Sequence, residues 1–212
     1  MRNIPVFTSE YGVASLALES IPPRGEAFVT LQSTMEPEKL LAECLEFCKM
    51  CGAERVWATG HPSLEAYPLH TVVFTMRGEK GRIGETDAAL FPVQDDTAEK
   101  WRGIYNEKMA GVDNAAWITF LGMKKLRKEN SAYFVHRDGV LLGIGMVSDD
   151  RIETLAAVRP GAGADVVRAL CHGIFGETVV LDVASTNTRA IGLYERLGFV
   201  KTAEKSRWHR VL

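Results

Sequence analysis

Two glycines, Gly161 and Gly163, stand directly before a predicted helix that runs from about Ala164 to Ile174. Small residues let a backbone come close to a ligand, and the free N–H groups and dipole of a helix start attract an anion. The loop around Ala162 could therefore hold a pyrophosphate group. An ordinary turn between a strand and a helix uses the same residue types, so that alternative stays open.

A second group of residues lies nearer the C-terminus, in the stretch Asn187-Thr-Arg-Ala-Ile-Gly-Leu-Tyr194-Glu-Arg-Leu-Gly-Phe199. Its apolar positions have helical spacing, which predicts a helix with one face against a sheet. Gly198 is expected to end this helix in the left-handed conformation, before a new strand that starts at Phe199. Upstream, the apolar run Glu177–Ala184 has the composition of a buried strand. The predicted order is strand, loop, helix, glycine stop, strand.

The pattern Asn-x-x-Ala-x-x-x-Tyr-x-x-x-Gly-Phe in this order of elements resembles the closing signature of the GNAT superfamily of N-acetyltransferases. The resemblance implies transfer of an acetyl group from the cosubstrate acetyl-CoA to a primary amine by direct attack, with no metal. It implies that Tyr194 protonates the departing CoA thiolate and that Asn187 hydrogen-bonds the pantetheine arm. From spacing alone, Tyr194 could equally be a core aromatic, and Asn187 a turn residue or helix cap.

The resemblance also assigns backbone N–H groups near Ala156 to the acetyl oxygen and pantetheine, provided that their strand splays from its neighbour. Family members usually place Arg or Gln ahead of several glycines, a spacing that Arg159 and the two glycines do not fit. Asp165 at the helix start would repel phosphate if it pointed inward, whereas an exposed Asp165 could cap the helix. The implied cofactor-binding residues are Ala156, Ala157, Val158, Arg159, Gly161, Ala162, Gly163, Ala164, Asn187 and Tyr194.

Acetyl transfer also needs a group that removes the proton of the attacking amine. Glu153 lies on the predicted strand Ile152–Val158, which borders both cofactor and acceptor in the GNAT fold. A carboxylate there could take the proton directly or through a water molecule, with its pKa raised by burial. Alternation along the strand does not decide which face Glu153 takes, so a solvent-exposed Glu153 is the alternative.

The elements that position these residues follow a mixed α/β pattern. From about Leu90 to Leu212 the order is strand, two helices, three antiparallel strands, helix, strand, helix, strand. This order looks like a complete GNAT acyl-CoA N-acyltransferase fold, a mixed central sheet flanked by helices. The earlier part repeats only the later portion of it. We therefore predict a tandem arrangement, with a partial or degenerate GNAT-like domain at 1–88, a complete GNAT acetyltransferase domain at 89–212, and a linker at Arg77–Asp87.

Composition narrows the class of partner. A net charge of −2 over 212 residues gives no general attraction to nucleic acid or membranes. No apolar run is long enough to span a bilayer, and the N-terminus lacks a secretory apolar core. We expect a cytoplasmic enzyme for a small-molecule amine acceptor, with no nucleic acid and no membrane partner, and a homodimer stays compatible. The alternatives are a catalytically weak GNAT-fold acyl-CoA-binding or scaffold protein, and an acyl-CoA hydrolase or sensor.

Three cysteines recur at helical spacing on a predicted helix that runs from about Pro37 to its last residue, Cys51. A zinc site would need a fourth ligand, and the spacing of Cys44, Cys48 and Cys51 matches no familiar zinc motif. Free cysteine behaves as a small apolar residue. We therefore predict that all three face the core.

Overall fold

The computed structural model of this chain describes residues 5–129 and 131–212. The chain forms two compact units, which are taken separately below: unit 1 is Met1–Val72 with Ser206–Leu212, and unit 2 is Val73–Lys205. Each unit combines strands and helices, as the mixed α/β prediction requires. Within the described ranges, no helix is both long and apolar enough to cross a membrane.

The helices and strands are numbered in chain order. The earlier elements are β1 (Val6–Ser9), β2 (Gly12–Ala17), α1 (Ile21–Arg24), β3 (Glu26–Thr34), α2 (Pro37–Met50), β4 (Arg55–Thr59), a 3₁₀ turn (Pro62–Ala66) and β5 (Leu69–Glu79). The later elements are α3 (Lys80–Ile83), β6 (Ala89–Pro92), α4 (Ala98–Lys108), α5 (Phe120–Glu129), β7 (Ser131–Arg137), β8 (Val140–Ser148), β9 (Arg151–Ala157), α6 (Gly163–His172), β10 (Thr178–Ala184), α7 (Thr188–Arg196) and β11 (Val200–Arg210).

Unit 1 is a sheet with α2 on one face. Its strands lie in the order β1, β2, β3, β4 and the C-terminal end of β11. The first three are antiparallel, whereas β3 and β4 run parallel over five residue pairs, from Glu26↔Arg55 to Thr30↔Thr59. The apolar side of α2 packs on this sheet through Leu40. The strands and the helix therefore share one core.

The cysteine prediction holds for two of the three residues on α2. Cys44 and Cys48 are fully buried, and burial raises the pKa of their thiols to about 12 and about 11, respectively. Cys51 is exposed. Cys51 is the C-cap of α2 and keeps a helical backbone, with its N–H donating to the carbonyl of Phe47, so its exposure comes from its place at the end of the helix and not from a loss of helical spacing.

Unit 2 contains a sheet with helices on both faces. The strand order is the N-terminal end of β11, then β5, β10, β9, β8, β7 and β6. On one face, α6 and α7 pack around Leu170 and Ile191. On the other face, α4 and α5 pack around Trp101 and Met123. This is the predicted mixed central sheet flanked by helices.

The compact units divide the chain at other places than the predicted domains. β5 pairs antiparallel with β10 over seven positions, from Thr178↔Glu79 to Ala184↔Val73, so most of β5 belongs to unit 2. The last residues of the chain belong to unit 1, where β11 pairs with β4. The stretch predicted as a linker is structured, because β5 continues through Arg77 to Glu79 and α3 follows with Ile83 buried.

Close packing between α6 and β8 depends on two glycines in the middle of β8. A Cβ at Gly145 would lie 2.3 Å from Leu170 Cδ1, and one at Gly143 would lie 2.6 Å from Val166 Cγ2. Because these positions lack side chains, the helix lies directly on the strand backbone. The start of α6 is thereby held beside the end of β9.

Candidate active site

The sheet of unit 2 opens between two parallel neighbours, β9 and β10. Among the described residues they pair at two positions only, Val180↔Arg151 and Leu181↔Ile152. Both strands continue further, β9 to Ala157 and β10 to its own end. Beyond the two pairs the strands diverge, which leaves a wedge-shaped opening that we call the splay.

A β-bulge on β9 accounts for this divergence. Opposite β8, Ile152 pairs with Val147 and Thr154 pairs with Met146, so Glu153 is an extra residue between two paired ones. An extra residue bends its strand and increases the local twist. The bend comes directly after the last pair between β9 and β10, and it turns the rest of β9 away from β10.

The backbone N–H groups of β9 alternate between β8 and the splay. The N–H of Val158 donates to the carbonyl of Leu142 on β8 over 2.8 Å. Because successive residues of an antiparallel strand point their N–H groups to opposite sides, those of Ala157 and Leu155 point into the splay. This geometry corrects the predicted set of backbone donors: Ala157 fits it, Ala156 and Val158 face β8, and the sequence reasoning missed Leu155.

The first turn of α6, next along the chain, has no side-chain cap. Gly161 has a φ of 83°, and Ala162 occupies the N-cap position without a side-chain hydrogen bond. A Cβ at Gly163 would lie 2.9 Å from Leu193 Cδ2 of α7, so a side chain at this position would displace that of Leu193. The first N–H groups of a helix have no acceptor inside it, and those of Gly163 and Ala164 can therefore meet an anion.

Asp165 in this first turn has its own cationic partners. Its carboxylate pairs with Arg137 at 3.1 Å and with Arg168 at 3.8 Å, and it accepts a hydrogen bond from the hydroxyl of Thr86 over 3.3 Å. These contacts compensate the negative charge that would otherwise repel phosphate, and Asp165 is not the N-cap. Arg159, which precedes the loop, is exposed.

Tyr194 lies on the inner side of α7. It is 7% exposed, and its ring centroid is 5.9 Å from that of Phe199. It belongs to the same apolar cluster as Leu155, Ala157 and Ala162, which come from β9 and the loop before α6. Burial raises the pKa of the Tyr194 hydroxyl to about 12, so the group is protonated at neutral pH. Tyr194 is thus a core aromatic in the cluster that adjoins the splay.

Asn187 is the N-cap of α7. Its side-chain oxygen Oδ1 accepts a hydrogen bond from the N–H of Ala190 over 3.2 Å. Its own N–H donates to the carbonyl of Ala184, the last residue of β10, over 2.9 Å. The side-chain oxygen of Asn187 therefore caps the helix, which is the alternative that the sequence left open.

Glu153, the predicted general base, lies at the bulge and is exposed. Its carboxylate accepts a hydrogen bond from the hydroxyl of Ser148 over 2.5 Å. The burial that the prediction invoked for a base is not present, because the bulge turns this side chain to solvent. Of the two catalytic candidates, Tyr194 lies in the apolar cluster beside the splay, and Glu153 lies outside that cluster.

Residues 140–209, which include β9, α6 and α7, match the family model described as FR47-like protein. No curated protein matches the chain significantly. A GCN5-related N-acetyltransferase from Kribbella flavida is similar with a TM-score of 0.56 and 14% identity, over 99% of this chain and 89% of that chain. One from Anabaena variabilis ATCC 29413 has a TM-score of 0.64 and 11% identity, over 94% of this chain and 59% of that chain. A tandem GNAT protein from the clavulanic acid biosynthesis pathway has a TM-score of 0.50 and 13% identity, over 97% of this chain and 80% of that chain.

The chain has the GNAT fold. As the signature at Asn187–Phe199 predicted, it resembles GNAT proteins, and one of these is a tandem protein. In unit 2 the features typical of this resemblance come together: a splay between parallel strands, a glycine-containing loop before α6, and a tyrosine on α7. A GNAT fold with these features supports acyl transfer in general.

The sequence reasoning missed one charged residue of unit 2, Asp182. It lies on β10 directly after the last pair with β9, and it accepts a hydrogen bond from the hydroxyl of Thr75 over 2.8 Å. It also pairs with Arg151 at 2.9 Å and with Lys205. Burial alone would raise the pKa of the Asp182 carboxyl, but these hydrogen bonds and positive charges hold it below its usual range. The sequence feature that could have pointed to Asp182 is its position as the single acidic residue in an otherwise apolar strand.

Proposed function

We propose that unit 2 transfers an acetyl group from acetyl-CoA to the primary amine of a small-molecule acceptor. The splay is the observation that carries this proposal. Its N–H groups at Leu155 and Ala157 suit an extended arm that contains amides, as pantetheine does. The uncapped start of α6 supplies N–H groups for a pyrophosphate at the same end of β9.

The proposed reaction forms a bond from the amine nitrogen to the acetyl carbon and breaks the bond from that carbon to sulfur. Negative charge develops first on the acetyl oxygen and then on the departing sulfur. N–H groups that already point at the developing charge lower the energy of the transition state. Leu155 and Ala157 are the residues that supply such donors on the β9 side of the splay.

Tyr194 is proposed to donate a hydrogen bond to the leaving thiolate. Its pKa of about 12 lies above the value of about 8.5 that is usual for a thiol, so complete proton transfer would be uphill. We therefore assign Tyr194 the stabilisation of the thiolate, which takes its final proton from solvent. This differs from the sequence-based expectation of a general acid that gives up its proton fully.

The amine proton is proposed to leave through Glu153 or through a water molecule. Glu153 lies at the bulge where β9 turns from β10, and its carboxylate is exposed to solvent. The hydrogen bond from Ser148 restrains that carboxylate. A water-mediated route is compatible with the same position, because the side chain is exposed to solvent.

The first test is a calorimetric titration of the purified protein with acetyl-CoA and with desulfo-CoA. We expect dissociation constants in the micromolar range for both ligands. Tyr194→Phe should lower kcat at least about tenfold and leave the dissociation constant of acetyl-CoA unchanged, because only the leaving thiolate loses a partner. Tyr11→Phe, a tyrosine of unit 1, is the matched control and should retain full activity. Absence of acetyl-CoA binding would contradict the proposal.

A GNAT-fold acyl-CoA-binding or scaffold protein with weak catalysis is the second candidate function. The exposure of Glu153 favours it, because an enzyme of this type gains from a base held in a fixed environment. The distinguishing result is acetyl-CoA binding without transfer to any amine. Slow release of CoA in the absence of every amine would indicate a hydrolase.

A further inference from the structure

A basic cluster lies beside the splay, on the face of the unit 2 sheet opposite α6 and α7. Cross-strand partners share a face of a sheet, and Val180 on β10 has Arg77 of β5 on one side and Arg151 of β9 on the other. Asp182 follows two residues along β10 on the same face. Met76 and Leu181, which alternate with these positions, belong to the apolar cluster under α6 and α7. The charged face is therefore separate from the core.

The charges on this face do not balance. Asp182 already has two cationic partners, Arg151 at 2.9 Å and Lys205. Arg77 is exposed, and no ion-pair partner for it occurs in the described part of the chain. Glu153 is the further carboxylate of β9 near this row, and it accepts its hydrogen bond from Ser148. Glu79, two residues beyond Arg77 on the same face of β5, pairs with Arg82. Asp182 and Glu79 are thus both engaged, and Arg77 is left without a carboxylate among the described residues.

The sheet fixes the spacing between the backbones of the two arginines, and Asp182 holds the side chain of one of them. Adjacent strands lie about 4.8 Å apart, so the backbones of Arg77 and Arg151 are separated by roughly 10 Å, with Val180 between them. Asp182 orients Arg151, because the ion pair is partly buried, with side-chain exposures of 28% and 21%. A guanidinium such as that of Arg77 binds a carboxylate through two parallel hydrogen bonds.

Resting on the proposed function, we infer that this cluster binds a carboxylate of the acceptor, so that the acceptor class is amino acids and similar amines that carry a carboxylate. The cluster lies at Val180↔Arg151, one pair before the strands diverge, so a bound carboxylate would lie next to the closed end of the splay, from which an amine could approach the acetyl carbon. Arg77 is the specificity-determining residue, since no ion-pair partner for its guanidinium occurs among the described residues. An amine without a carboxylate would make no contact with this guanidinium and would gain nothing from it.

The test compares acetylation of the twenty free amino acids with acetylation of the corresponding amino acid amides, measured as release of the CoA thiol. For the best acceptor we expect kcat/KM to favour the free acid over its amide by at least about tenfold. Arg77→Ala should raise KM for the acid about tenfold with little change in kcat, and leave the amide unaffected. Arg77→Lys should restore part of the difference, because it keeps the charge and loses the two-point contact.

Arg82→Ala is the matched control, because Arg82 is a highly exposed cation of α3 that pairs with Glu79 instead. It should preserve the preference for the acid. Equal or better acetylation of amides would overturn the inference, as would transfer to none of the free amino acids by a protein that binds acetyl-CoA. If acetyl-CoA itself fails to bind in the calorimetric titration, the proposed function fails and the inference fails with it. The titration thus separates the two failures.

Discussion

The parallel strand pairs of the two units separate at different points. In unit 1, β3 and β4 pair from Glu26↔Arg55 to Thr30↔Thr59, which is the last residue of β4. In unit 2, β9 and β10 pair at two positions and then diverge after the bulge at Glu153. Both units use the order strand, helix, parallel strand, and in both the first parallel strand carries an extra residue, Gln32 on β3 and Glu153 on β9. In unit 1 the pairing runs to the last residue of β4, whereas in unit 2 it stops at Leu181 and β10 continues to Ala184. The extent of the parallel pairing, and not the order of elements or the presence of an extra residue, therefore distinguishes the two units.

The helices that follow β3 and β9 also differ in how well their N-terminal ends can bind an anion. α2 of unit 1 begins with Pro37, which has no N–H to offer, and Glu36 and Glu38 flank it. α6 of unit 2 begins with glycine and alanine, and its one acidic residue, Asp165, is paired with Arg137. Carboxylates at a helix start compete with a phosphate for the same N–H groups and repel it. The start of α2 is therefore less suited to a pyrophosphate than the start of α6 is.

The largest effect is expected where α6 packs on β8. Gly145→Val should destabilise unit 2 by about 3 kcal/mol, because the new side chain would overlap Leu170, and acetyl-CoA binding should be lost with the position of α6. Thermal unfolding with calorimetric titration measures both effects. Gly103→Ala on α4 is the control, since its Cβ meets no atom within 4 Å, and it should leave stability equal or slightly higher. An unchanged melting temperature for Gly145→Val would contradict the packing argument.

The ion cluster around Asp182 should give the next largest effect. Asp182→Asn should cost about 2 kcal/mol at pH 7, because Arg151 and Lys205 lose a partly buried partner. The folded pKa of Asp182 is lowered, so its stabilising contribution is present above the unfolded value of about 3.9 and is lost as the pH falls through the folded pKa. Denaturant unfolding from pH 7 to pH 3 should therefore bring the stabilities of parent and variant together at the acid end. A constant difference over this range would show that the charge of Asp182 is not the cause.

A negative charge added to the loop before α6 should weaken anion binding there, because the start of α6 would then carry a carboxylate as the start of α2 does. Gly161→Asp should weaken acetyl-CoA binding about tenfold relative to Gly161→Asn. The two substitutions have nearly the same shape and the same cost at a φ of 83°, so their difference isolates the charge. Glu38→Gln on α2 should leave binding unchanged. Equal affinity of the two Gly161 variants for acetyl-CoA would contradict the proposal that the pyrophosphate binds at the start of α6.

The smallest effect is expected at the cap of α7. Asn187→Ala should lower the free energy of unfolding by about 1 kcal/mol, because the N–H of Ala190 loses its acceptor. Thr188→Ala, at the exposed next position, is the control and should change stability by less than about 0.5 kcal/mol. Calorimetric titration of both variants then tests the role implied by the resemblance. A loss of acetyl-CoA affinity that exceeds the loss of stability would indicate that Asn187 also contacts pantetheine.

The sequence predicted several local structural features at or near the residues where they occur. The buried strand predicted at Glu177–Ala184 occurs as β10, Thr178–Ala184. Gly198 follows the end of α7 with a φ of 88°, the left-handed conformation that was predicted for it. Turn and cap preferences act over a few residues, so they do not need the rest of the chain. The GNAT signature depends on such local features, which is why it was readable as well.

The faces and partners of strands were not readable in the same way. Glu153 is exposed because of a register shift opposite β8, and a shift of one residue reverses the face of a side chain. Asp182 has partners on β5, β9 and β11, and Thr75 is 107 residues away along the chain. Only the pairing of distant strands brings these groups together. The candidate base and the basic cluster therefore could not be derived from spacing.

By itself, then, the sequence determined the helices, the turns and the family resemblance of this protein, since these follow from contacts between near neighbours. The tertiary structure decided that β9 and β10 diverge after two pairs and that the backbone N–H groups of Leu155 and Ala157 point into the splay. It also decided that residues 206–212 belong to unit 1. Each of these depends on strand register. Register is set by hydrogen bonds and packing between segments that are distant along the chain.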